Sequence, residues 1–272
     1  MTHLNEGPAG EPAQPRGGQP ATTAGADGTG LVPAQAPPPL RAGAEAGSAP
    51  RGEGAAGPSG GPGGRVGGRA LAAFTGWRLA VAACAFIGYV DVAVRFGDPL
   101  LALEDLSHLA SFVAGVLYLG LAAYPFVTGR VCLEPRSPWA RGSAAVALLL
   151  VGVVWHTLMD GLETGYLTTS ALFTHLVTPL VVLVDWLFVG RNQHRARWWF
   201  PLSWTLPLLA YLVFMIAAGV ESYSDFLDPA SDGFAVTLSA FIAAVVVAGY
   251  GLLGTSRLTR PVRSAVADRL GA

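Results

Sequence analysis

The sequence predicts an all-α polytopic membrane protein: a six-transmembrane-helix bundle preceded by a disordered Gly/Pro/Ala-rich tail. Three observations predict it. Only 13% of the 272 residues are charged and 52% are hydrophobic, whereas a soluble domain carries about 25% charged residues. Six apolar stretches follow Thr75, each about 17–23 residues long, the length that spans ~30 Å of hydrocarbon. The connecting loops alternate between arginine-rich and acidic, the pattern that sorts loops to opposite sides of a membrane.

Residues 1–70 are nearly free of large apolar side chains, as in "AQAPPPLRAGAEAGSAP". Such a segment cannot bury enough surface to offset its ordering entropy, so a disordered cytoplasmic tail is expected. No apolar run near the start resembles a signal peptide. The membrane domain is expected over 71–256, with spans near 75–95, 106–128, 142–160, 171–190, 200–219 and 234–254. Small residues in the second span, Ala110, Ala114, Gly115 and Gly120, would let a neighbouring helix approach closely. Residues 257–272 read as a short basic cytoplasmic tail. Cys84 and Cys132 do not suggest a disulfide framework.

Loop charge sets the orientation. Arg130, Arg136 and Arg141 lie between spans two and three, Arg191, Arg195 and Arg197 between four and five, and Arg257, Arg260, Arg263 and Arg269 after six. The other three loops carry Asp98, Glu104 and Asp105, then Asp160 and Glu163, then Glu221, Asp225, Asp228 and Asp232. Basic loops stay in the cytoplasm. The expectation is a multi-pass plasma-membrane protein with both termini cytoplasmic.

Orientation converts to depth. Ser107 and His108 open span two, His156 is near the end of span three, and His175 lies early in span four, so all four are expected at one level of the outer leaflet. Ser111 is one helical turn from Ser107, and Asp160 shares a face with His156. Asp185 is about 15 Å deeper than His175 and reads as a structural polar group. Ionisable groups at membrane depth are costly and usually face the bundle interior. Three chemistries fit the outer cluster: a histidine-activated hydroxyl attacking an ester, metal or haem ligation by the histidines, and a proton or substrate path. No glycine loop that cradles phosphate and no nucleic-acid-binding pattern is present.

The phrases "VVWHTLMDG", "FTHLVTPLVVLVDWLF" and "FLDPASDGF" resemble the Pr6Pr group of bacterial six-span membrane proteins. That group is similar to the androgen-induced membrane hydrolases, the FAR-17a/AIG1-like family. The motif H-x3-P-x5-DW, His175 to Trp186, carries most of the resemblance. It implies an intramembrane hydrolase of lipid-like esters, with membrane lipids and a fatty-acyl ester as partners and no nucleic acid. His175 matches the family histidine in span four. Ser107 stands where the family has threonine, so the implied catalytic pair is Ser107 and His175, with His108, Ser111, His156 and Asp160 as a supporting polar cluster. No cofactor or metal is expected with that chemistry. The alternative is a non-enzymatic six-span protein, transporter-like or a regulatory scaffold.

Overall fold

The computed structural model describes residues 67–129, 132–159, 161 and 168–270. Six helices in it are long and apolar enough to cross a membrane. They are α1 (Gly68–Phe96), α2 (Leu106–Val127), α3 (Trp139–Leu158), α4 (Thr169–Val189), α5 (Phe200–Ala218) and α6 (Phe234–Leu258). Most of the expected short basic tail after span six is a helix, α7 (Arg260–Leu270). Of the tail expected over residues 1–70, residues 1–66 lie outside the described residues, as does the candidate Asp160, and residues 68–70 belong to α1. The chain is a helical, multi-pass membrane protein.

Three helices extend past the expected spans. α1 begins at Gly68, α3 begins at Trp139 and so takes Arg141 into a helix, and α6 runs on to Leu258. Arg78 lies in α1, within the expected first span. Arg78 and Arg141 are 0% and 3% exposed. A buried guanidinium is tolerated only when it is paired and hydrogen-bonded, and Glu134 does the pairing. This residue sits in the α2–α3 loop and accepts from Arg78 Nη2 and Arg141 Nη1, both at 2.7 Å. Its other oxygen accepts the backbone N–H groups of Arg191 and Asn192 at 2.9 and 3.0 Å. One carboxylate thus ties α1, α3 and the α4–α5 loop together. Burial pushes the Glu134 carboxyl up, but the fields of Arg141 and Arg78 and the Arg191 N–H outweigh it and hold it below the usual carboxylate range.

Asp185, 0% exposed, completes this end of the bundle. It accepts from Trp77 Nε1 at 3.0 Å and Tyr118 hydroxyl at 2.8 Å, with Arg141 Nε at 3.5 Å. Two arginines and two carboxylates balance, and four helices and two loops meet on them. Close approach of the backbones needs glycine at two places: a Cβ on Gly190 would run into the Arg141 guanidinium, and one on Gly142 into the Trp204 ring. The apolar core around them includes Trp186, Trp204, Tyr118 and Leu148.

Candidate functional site

α4 positions the histidine. Thr168 caps its start, its hydroxyl accepting the Ala171 N–H at 3.0 Å. The helix then widens into a π turn over Phe173–Val177, closed by Thr178 N–H to the Phe173 carbonyl. Pro179 accounts for the widening. It has no N–H for the His175 carbonyl four residues back, so that α-helical bond cannot form. The freed His175 carbonyl faces Gly152 of α3, where an added Cβ would sit 3.2 Å away. Inserted π turns of this kind are common at functional sites. A second π turn, Asp185–Val189, presents Asp185. Both ionisable groups of this span therefore stand on widened turns.

His175 is 8% exposed, and its ring lies flat on the Trp155 indole, 4.1 Å between centroids and 10° from parallel. Among the described residues its Nδ1 has no hydrogen-bond partner. Ser107, 7% exposed, is the second residue of α2, at the helix N-terminus. Ser107 and His175 line the same cavity of about 350 Å³. Among the described residues no hydrogen bond joins them.

The cavity has a polar end and an apolar body. Asp105, Ser107, His175, Ser222 and Tyr223 form the polar end, while leucines of α5 and Phe241, Ile242 and Val245 of α6 form much of the body. Tyr223, in the α5–α6 loop, is 8% exposed. Burial pushes its hydroxyl up to about 12, with the nearby Asp105 charge adding to the rise; hydrogen bonding to Ser107 and Leu106 at the α2 N-terminus opposes it. Asp105 is the residue before α2. Burial pushes its carboxyl up, and hydrogen bonding to His108 and Ser222, with the charges of His108 and His175, brings it below the usual carboxylate range. The Tyr211 hydroxyl donates to the Glu104 carbonyl at 2.7 Å and so fixes α5 to this corner.

Of the other expected residues, His108, Ser111 and His156 do not line this cavity. His108 Nε2 pairs with Ser170 Oγ at 3.2 Å, and Ser170 in turn donates to the Gly88 carbonyl at 3.0 Å. His156 Nδ1 donates to the Gly152 carbonyl at 2.5 Å. Ser111 is 0% exposed and its hydroxyl has no partner among the described residues. Sequence reasoning missed Asp105, Tyr223 and Trp155. Asp105 was visible only as a loop acid, and Tyr223 lay in an acidic loop whose path the sequence does not encode locally. Trp155 adjoins His156 in a phrase already singled out, but its stacking on His175 depends on helix rotation.

The arrangement offers a hydroxyl, an imidazole and a phenol at the end of an apolar slot. Compared with known proteins, the chain matches no family profile, no curated protein and no solved structure.

Proposed function

We propose that the protein is an intramembrane hydrolase of lipid-like esters, as the Pr6Pr resemblance implies, with Ser107 as nucleophile and His175 as base. The observation that carries the reading is the shared cavity: Ser107 and His175 sit on the wall of one pocket whose body is apolar. An acyl chain fits the body and its ester carbonyl the polar end. In the reaction Ser107 Oγ attacks the acyl carbon while His175 takes the hydroxyl proton. The Tyr223 hydroxyl, itself held by the amides of Leu106 and Ser107, would stabilise the oxyanion. His175 returns the proton to the leaving alcohol, and water then hydrolyses the acyl-serine by the same route. The Asp105 carboxylate supplies negative charge facing the imidazolium.

Loop charge supports an orientation in which the Glu134 end faces the cytoplasm and the cavity lies under the outer surface of the plasma membrane. The test is labelling of the purified protein by a lipid-tailed fluorophosphonate. Labelling should disappear in Ser107→Ala and fall sharply in His175→Ala. Labelling that survives Ser107→Ala removes the assignment. A wild-type protein that never labels points to the non-enzymatic reading, in which the cavity is a binding site only.

A further inference from the structure

A second cluster lies at the opposite end of the bundle and is independent of the hydrolase reading. α3 and α5 both begin there. Arg136 and Trp139 on the approach to α3, and Arg195, Arg197 and Trp199 on the approach to α5, border one open groove of about 730 Å³. All three arginines are exposed. Among the described residues none of them has a carboxylate partner. The nearest acid in sequence, Glu134, is fully engaged by Arg78, Arg141 and two backbone amides. The groove therefore holds positive charge that the fold does not neutralise.

Its other features fit one ligand. Both helices begin at the groove, but the Trp139 N–H is taken by Ser137 Oγ and the Phe200 N–H by the Arg197 carbonyl, so the arginines are the donors left for an anion. Arginine's planar fork matches phosphate oxygens. The Trp139 indole donates to Ser203 Oγ at 2.8 Å, which pins α3 to α5 and gives the groove a fixed wall. Trp198 and Trp199 are 69% and 39% exposed at the start of a span, where tryptophan marks the headgroup level. Leu202 and Leu206, exposed on α5, lead from the groove along the span. An anionic headgroup seated in the groove would have its acyl chain on that apolar face.

We infer that this groove is a binding site for the phosphate of an anionic phospholipid, held by Arg136, Arg195 and Arg197. The experiment is native mass spectrometry of the full chain released from detergent micelles containing phosphatidylglycerol or phosphatidylcholine. The expected result is selective retention of phosphatidylglycerol. Each interfacial arginine is worth roughly a factor of five in binding, so the triple variant R136Q/R195Q/R197Q should lose about 10²-fold and R197Q alone about fivefold. The substituted side chains are exposed, and an unchanged melting temperature confirms the fold. Equal retention of the two lipids, or undiminished phosphatidylglycerol on the triple variant, overturns the inference. Displacement by free inorganic phosphate at about 10 mM overturns the lipid as the source and leaves a soluble anion site.

Discussion

The His175 imidazole is held face to face with the Trp155 indole, so α3 fixes the ring that α4 presents. The π turn sets where the histidine leaves its helix, and the indole sets how its ring lies. Trp155→Leu keeps an apolar side chain but removes the flat support. Misplacing a reacting group by about 1 Å costs up to 10²-fold in rate. The rate of fluorophosphonate labelling should fall by about that factor while Ser107 remains the labelled residue. An unchanged rate would show that the ring needs no support from α3.

Pro179→Ala separates geometry from stability. Alanine supplies the missing N–H and favours an ordinary α-turn. The His175 carbonyl would regain its helical bond, and the side chain would rotate away from the cavity wall. Labelling should drop at least tenfold, by the same positional argument, with the melting temperature equal or higher. Full activity in this variant would mean that the widened turn does nothing for the site.

Glu134 is the expected stability centre. Glu134→Gln removes a charge that faces two buried guanidinium groups, and breaking a buried pair from one side costs about 3–5 kcal/mol. Unfolding in mixed micelles should show a loss of that order. Ser111→Ala, which deletes a buried hydroxyl with no partner among the described residues, should show no loss of that order.

The same carboxylate predicts an acid limit. Its folded value lies below its ordinary value of 4.5, so the unfolded chain takes up the proton first as pH falls. The stabilisation is complete above pH 4.5 and is lost as pH drops through the lower folded value. Asp105 shifts in the same direction, from an ordinary 3.8. The melting temperature should be insensitive to these groups at neutral pH and should fall steeply below pH 4.5. In Glu134→Gln much of that steepness should be absent.

The helices were legible because span length and loop charge are local, additive signals. Ser107 and His175 reached a common depth by the same arithmetic, since 1.5 Å per residue and alternating direction fix height along the membrane normal. Rotation about each helix axis was not legible. Whether His108, Ser111 and His156 face the cavity depends on azimuth, and they turn instead towards Ser170, the interior and Gly152. Arg141 read as a loop residue because a charge inside a helix end is expensive. It is buried at the start of α3 because Glu134 and Asp185 compensate it, and the Asp185 contact spans too much sequence to be inferred. Pro179 sat in the quoted motif, yet nothing local distinguishes a kink from a widened turn.

Cys132 offers a direct test of orientation. It is exposed on the α2–α3 loop, two residues from Glu134, whereas Cys84 lies within α1 and is only partly exposed. If the arginine-rich end faces the cytoplasm, a membrane-impermeant maleimide should leave intact cells unlabelled and should label the protein once the membrane is permeabilised. Cys132→Ser should abolish that labelling, which assigns it to the loop. The cavity end is probed by Asp228→Cys on a Cys132→Ser background, because Asp228 lies in the loop between α5 and α6. That variant should label in intact cells. The reverse pattern would put the Ser107 cavity on the cytoplasmic side, and any ester it cleaves would then have to come from the inner leaflet.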